Sequence, residues 1–355
     1  MLSFGTVICT YNRRALLEQS LRHWSQSSRL PDQVIVVDAT QDAASYRDSL
    51  VEKFPNLFAR RDSQYIVTNQ AGLTRQRNVG LNAVKTDVVC FADDDAFVSP
   101  SYIDKILEVF EKDTDGLIGG VNGVAEGQFD NWPQKTYREF RNYVRHHFGG
   151  FVQRIHLPKH YTHLFDPMPA TVRYLPLIHI DRLWGANMNY RAEALKGLQF
   201  DENFQRYGLF EDVDLSIQVG KNYKLVCRLD AELSHDFQLG QSTRPNDAKY
   251  FLFSWLNSAY IIEKLLPYEE SRQAHKNLFH ITRLLSKTLP AKLSQSRVKT
   301  LGDAQLLHSA ERLIEALQSS EQSDALGLRF VTLQAEVNQL LQNASEPLSL
   351  RSPLA

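Results

Sequence analysis

Cysteine is scarce in this chain of 355 residues: there are three, Cys9, Cys90 and Cys227, and no two stand in a C-x-x-C pair. That argues against a disulfide framework or a cysteine-based zinc site and fits a reducing compartment. Cys9 and Cys90 sit inside apolar runs and read as small buried hydrophobes. Long apolar runs are missing as well. No uncharged stretch reaches the roughly 18 residues of a membrane-spanning helix. The start, Met1 to Thr10, lacks a basic region and its apolar run is only strand-length, so no secretory leader is expected. Charge of one sign is not in excess, with a formal net charge of −1. A nucleic-acid binder would usually show a dominant basic surface, so no nucleic-acid partner is expected. Internal repeats and low-complexity tracts are absent. The expectation is a cytoplasmic protein, with peripheral contact at the cytoplasmic membrane face left open.

What is present is the composition of an ordinary globular protein, 43% hydrophobic and 23% charged. Over the first 120 residues, short β-branched runs alternate with helical patterns. Strands are expected at Gly5–Thr10, Gln33–Asp38, Gln64–Thr68, Val88–Ala92 and Leu117–Val121. Helices are expected near Arg14–Gln26, Ala44–Phe54, Leu73–Lys85 and Ser101–Lys112. Fully apolar strands alternating with helices imply a parallel sheet covered on both faces. Such sheets bind ligands at the carboxyl ends of their strands. Thr10-Tyr11-Asn12, Asp38 and Asp93–Asp95 all fall at those ends.

The stretch from about Ala125 to Asp181 is rich in aromatic residues and histidine, with spacing that fits no single metal site; it could wall a substrate cleft. After Pro245 the pattern turns helical, over Tyr250–Leu266, Glu269–Lys287, Asp303–Gln318 and Ala325–Gln342. In the last of these, Leu326, Phe330, Leu333, Val337 and Leu340 recur at heptad-like spacing. A hairpin packing on itself or on the catalytic domain is the simpler reading, and a homodimer contact is the alternative. The chain thus divides into a catalytic domain over 1–244, with halves at 1–120 and 121–244, and a helical region over 245–355.

The most informative run is Phe91-Ala92-Asp93-Asp94-Asp95. An apolar strand ending in clustered carboxylates is costly unless positive charge sits there. Mg²⁺ held by carboxylates together with phosphate oxygens is the natural occupant. A solvated turn capping the next helix is the plainer alternative.

Taken in order, the motifs resemble those of the family 2 glycosyltransferases, which have the GT-A fold. They are Val7-Ile8-Cys9-Thr10-Tyr11-Asn12-Arg13, Val36-Val37-Asp38, Arg75-Gln76-Arg77-Asn78-Val79-Gly80-Leu81, Phe91–Asp95, Trp184-Gly185-Ala186-Asn187-Met188-Asn189-Tyr190-Arg191, and Glu211-Asp212-Val213-Asp214-Leu215. They span about residues 4–240 and leave the C-terminal region uncovered. The resemblance implies a Rossmann-like α/β sheet flanked by helices, with a C-terminal all-helical extension. It implies an inverting, metal-dependent transfer from a nucleoside-diphosphate sugar, of UDP or dTDP type, to a saccharide or lipid-linked saccharide. By the same resemblance, Thr10, Tyr11, Asn12, Asp38, Arg77, Asn78, Asp93 and Asp94 bind the nucleotide. Asp93, Asp95 and His235 would hold Mn²⁺ or Mg²⁺, with Asp93 and Asp95 facing the ligand and Asp94 turned elsewhere. Asp212 would be the general base and Glu211 would orient it or bind the acceptor. Trp184, Gly185, Asn187 and Arg191 would line the sugars. Two alternatives stand beside this. A sugar-phosphate nucleotidyltransferase would need a Gly-rich basic loop after the first strand, where Thr10-Tyr11-Asn12 stands. A non-catalytic carbohydrate-binding or assembly protein of the same fold would be supported by loss of the acidic motifs, and both are intact.

Overall fold

The computed structural model describes residues 1–125, 168–205, 208–235, 247–266 and 324–345, with positions 271, 309, 312–313 and 315–317. The chain forms two compact units: Met1–Phe151 with Lys159–Ser242, and Val152–Pro158 with Thr243–Ala355.

In the first unit, β1 (Phe4–Thr10) and β2 (Gln33–Asp38) are buried along their whole length, and β4 (Val88–Asp93) is buried from Val88 to Ala92. Their Val, Ile and Phe runs suit strands covered on both faces. β1 pairs in parallel with β2, from Gly5↔Gln33 to Thr10↔Asp38, and with β4, from Phe4↔Val88 to Cys9↔Asp93. β3 (Gln64–Val67) extends the parallel set beyond β2. This register puts Thr10, Asp38 and Asp93 at one edge, as expected from the sequence.

The helices α1 (Arg14–Ser25), α2 (Ala44–Lys53), α3 (Pro55–Phe58), α4 (Leu73–Ala83) and α5 (Tyr102–Lys112) flank the sheet. α1 buries Leu17, Leu21 and Trp24, and α5 buries Tyr102, Ile103, Ile106 and Phe110, the spacing of an apolar helical stripe. α4 is different, because the residues it buries are Thr74, Gln76, Arg77, Asn78 and Gly80. It lies against β1 and β2. Gln76 Nε2 donates to the carbonyls of Thr10 at 2.8 Å and Val37 at 2.9 Å, tying the helix to both strand ends. Gly80 rests on Val7, and any side chain there would collide with Val7 Cγ1.

The rest of the sheet is β5 (Ala96–Val98), β6 (Ile118–Ala125), β7 (Leu177–His179), β8 (Asn187–Arg191) and β9 (Lys224–His235), with α6 (Glu211–Gly220) before β9. The order is β3-β2-β1-β4-β8-β6-β9-β5, with β7 on β9. β8 runs antiparallel to β4, from Ala92↔Asn187 to Val88↔Arg191, so β4 joins a parallel half to a mixed half. β5, which the sequence pattern did not reveal, pairs antiparallel with β9 and sets His235 opposite Ala96. Cys9, Cys90 and Cys227 are all buried.

The second unit contains α7 (Asp247–Leu265) and α8 (Asp324–Ser345). The rings of Tyr260 and Phe330 stack 3.9 Å apart. Phe330, Leu333 and Val337, three of the heptad-like positions, are buried, and α8 packs against α7. The expected helix at Glu269–Lys287, most of that at Asp303–Gln318 and most of the aromatic-rich stretch lie outside the described residues. Among the described residues, no helix is long and apolar enough to cross a membrane.

Candidate active site

The site begins where β1 ends. Asn12 adopts a left-handed backbone with φ of 57°, and its amide donates to Thr40 Oγ1 at 2.8 Å. Left-handed residues are uncommon outside glycine, and asparagine tolerates the region best. The turn leaves Tyr11 exposed at 44% at the strand end. The next side chain, Arg13, reaches the acidic run. Its Nη1 lies 2.8 Å from Asp94 Oδ1, and its Nη2 pairs with Asp95 Oδ2.

Asp94 is turned inward and is fully engaged. Its second oxygen accepts from Thr10 Oγ1 at 2.7 Å. Burial pushes its carboxyl up to about 7 against the pull of Arg13 and Thr10. Asp95 behaves differently: burial opposes its charge, yet contacts with His235 and Arg13 hold it below its ordinary value. His235 Nε2 lies 3.2 Å from Asp95 Oδ1, as the β5–β9 register dictates. The His235 ring meets Trp184 edge-on at 5.0 Å. Asp93 keeps a third of its side chain exposed, and its Oδ1 accepts from Arg77 Nη2 at 3.0 Å.

Arg77 links this cluster to a second one. Its guanidinium is 2% exposed; it pairs with Glu211 and donates to the Gly185 carbonyl at 2.8 Å. The Gly185 amide in turn donates to Asp212 Oδ2 at 3.0 Å. A Cβ at Gly185 would come within 3.3 Å of Glu211 Oε1, so a side chain here would press on the carboxylate by a few tenths of an ångström. Glu211 and Asp212 open α6. Carboxylates are favoured there by the helix dipole, but burial still pushes the Glu211 carboxyl well above its usual range.

Five carboxyl groups, Asp93, Asp94, Asp95, Glu211 and Asp212, therefore surround two guanidiniums, those of Arg13 and Arg77. Among the described residues, carboxyl groups outnumber guanidiniums here by five to two. One donor atom from each of Asp93, Asp95 and His235 lies within 4.8 Å of the others. Two carboxylate oxygens and an imidazole nitrogen are a donor set that fits Mn²⁺ well and Mg²⁺ less well.

Several expected site residues are placed differently. Asp38 is wholly buried, and both its oxygens are taken: by the hydroxyls of Tyr46 and Tyr65, each at 2.7 Å, and by the Thr40 amide at 2.8 Å. Asn78 is turned away, its Nδ2 donating to the Phe200 carbonyl at 2.9 Å and to Glu202 at 3.1 Å. Asn187 is also buried, with its Oδ1 accepting from the Gly123 amide at 2.7 Å and from Tyr102 at 3.2 Å. Arg191 lies at the far edge of the sheet, because β8 runs antiparallel to β4. It stacks on Phe110 with its guanidinium 5.2 Å from the ring centre and pairs with Asp113 at 3.2 Å. Sequence reasoning gave no role to Arg13 or Gln76. For Arg13 a signal existed: a cation just past a strand end that faces a triple-Asp run.

Residues 6–171 match the family model described as glycosyl transferase family 2. Among solved structures, the mannosyltransferase PcManGT from Pyrobaculum calidifontis, in complex with GDP-Man and Mn²⁺, superposes with a TM-score of 0.52. It is 15% identical, over 97% of this chain and 87% of that one. TarS 1–349 of S. aureus, in complex with UDP-GlcNAc, gives 0.47 at 14% identity, over 96% of this chain and 92% of that one. No curated protein sequence matches the chain. The mannosyltransferase likeness concerns the fold, and the strand-end motifs from Thr10 to Asp95 fall inside the matched segment. Residues 6–171 thus carry the glycosyl transferase family 2 match, and the chain has the fold of a GT-A glycosyltransferase.

Proposed function

We propose that the protein is an inverting, metal-dependent transferase. It moves a sugar from a nucleoside diphosphate, of UDP or dTDP type, to a saccharide or lipid-linked saccharide hydroxyl. The observation that carries this reading is one arrangement: the Asp93–Asp95–His235 cluster joined through Arg77 and Gly185 to the Glu211–Asp212 pair. The first suits a leaving diphosphate, and the second suits an attacking hydroxyl. The mannosyltransferase of similar fold was solved with a nucleotide sugar and Mn²⁺, which supports the same class of donor and cation here.

In this reading Asp93, Asp95 and His235 hold the cation, which stabilises negative charge on the departing diphosphate. Tyr11 offers its exposed ring to the base. Asp212 accepts the acceptor hydroxyl's proton while that oxygen bonds to the anomeric carbon and the carbon–phosphate-oxygen bond breaks on the opposite face. The sugar is inverted and the nucleoside diphosphate leaves. The Gly185 amide keeps Asp212 oriented, and Arg77 holds Glu211 and Asp93 at a fixed spacing. Trp184, beside His235, supplies an aromatic edge near the sugar.

The test is a panel of UDP-, dTDP- and GDP-sugars assayed for release of nucleoside diphosphate with Mn²⁺ and with chelator. At least one donor should turn over only with the cation. Asp212→Asn should then lower turnover by about 10²–10⁴-fold while leaving nucleotide affinity nearly intact. Unchanged turnover would remove Asp212 as the base, and cation-independent turnover would sink the metal reading.

A further inference from the structure

Arg13 occupies a special position in the cation cluster. Its side chain is 16% exposed and grips two neighbouring carboxylates at once, Asp94 Oδ1 at 2.8 Å and Asp95 Oδ2. Asp94 is spent on this contact and on Thr10, so it serves as an anchor. With Oδ2 of Asp95 held, Oδ1 is the oxygen turned toward His235. Arg77 does the matching job on the other flank, where its Nη2 takes Asp93 Oδ1. Two guanidiniums from different elements thus each hold one oxygen of an outer carboxylate. On the Asp95 side this leaves Oδ1 facing the imidazole, and one donor atom from each of Asp93, Asp95 and His235 lies within 4.8 Å of the others. The left-handed turn at Asn12 brings Arg13 to this place.

We propose that Arg13 is a positioning residue for the cation site: it fixes the Asp95 carboxylate so that one oxygen is presented to the cation. The inference rests on the cation reading above. A planar guanidinium can bridge two carboxylates in a fixed geometry, whereas an ammonium is a point charge on a flexible stem. Charge alone predicts the reverse effect, since a guanidinium repels a nearby cation and its removal would tighten binding. The sign of the change therefore separates positioning from simple charge balance.

The experiment is calorimetric titration of Mn²⁺ into metal-free full-length protein, with the electron paramagnetic resonance of bound Mn²⁺ as a second readout. Wild type, Arg13→Lys and Arg13→Gln are compared. Both variants should lose roughly tenfold or more in Mn²⁺ affinity, as for other residues that orient metal ligands, while still melting cooperatively in chelator. If Arg13→Gln does not melt cooperatively, Arg13→Lys decides alone, because it keeps the charge and loses the fork. Unchanged or tighter Mn²⁺ binding by a folded variant overturns the inference while the cation reading stands. Folded wild type that binds no Mn²⁺ overturns both.

Discussion

Single residues carry opposite electrostatic burdens in this chain. Asp38 has its needs met by two tyrosine hydroxyls and an amide. Among the described residues, no other residue hydrogen-bonds the Asp181 carboxyl, which is only 7% exposed and has the Arg182 charge nearby. Burial pushes the Asp181 carboxyl up to about 7. An unfolded aspartate titrates near 4, so the folded state favours the protonated form. The resulting cost is absent below pH ~4, grows as pH rises, and is complete above pH ~7. Asp181→Asn should therefore change stability little at acidic pH and raise it by about a few kcal/mol at pH 8. Urea unfolding at pH 5 and pH 8 checks this, and a gain equal at both pH values would refute it. The contrast with Asp38 also marks what could be read from sequence. The acidic residues at positions 93, 95, 211 and 212 were legible because such clusters are chemically conspicuous. That Asp38 is spent on Tyr46 and Tyr65 was not, because nothing in a strand-end aspartate names the hydroxyls that reach it. Asp38 is buried and already accepts from three donors at this edge.

At the level of elements, α4 shows why a helix can be placed correctly and its faces misread. Its span, Leu73–Ala83, follows from Gly72 and the pattern after it. Its inward face is polar, because it seals strand ends and holds the site rather than filling a core. Gln76 satisfies two strand-end carbonyls, and Arg77 joins the two acidic clusters. Gly80 is where this helix comes closest to β1. Gly80→Ala should destabilise the protein by about 1–3 kcal/mol, the usual range for overpacking, despite alanine's better helix propensity. Denaturant unfolding with an unchanged m-value checks this, and a stabilised variant would show that α4 has room to shift. Strand direction was the other hidden quantity. A run such as Asn187–Arg191 reads alike in either sense, and the antiparallel sense sends Arg191 to the opposite edge from Asp93. β5 stayed hidden because its three residues follow directly on the acidic turn.

For the molecule as a whole, the crowding of carboxyl groups at one edge of the sheet ties cation binding to stability. A ligand bound only by the folded state stabilises it by mass action, about 2.7 kcal/mol at one hundred times Kd. Saturating Mn²⁺ should raise Tm, chelator should reverse the rise, and Asp95→Ala should abolish it; a thermal shift equal in Asp95→Ala and wild type would refute this. The expected α/β sheet was legible as a set of strands and helices, whereas its second half depended on pairings between distant segments. That dependence has a kinetic side. Arg77 and Glu211 meet across 134 positions of sequence, and His235 closes the last strand of the first unit. Chains are made from the N-terminus, and early segments can fold before later ones exist. For much of synthesis the triple-Asp edge therefore stands without its imidazole partner, and Arg77 without Glu211. A fragment ending at residue 171 would hold the whole family-matched segment but lack Glu211, Asp212 and His235. Completion of β9 is what brings His235 beside Asp95, so recovery of cation binding is expected to follow that step rather than precede it.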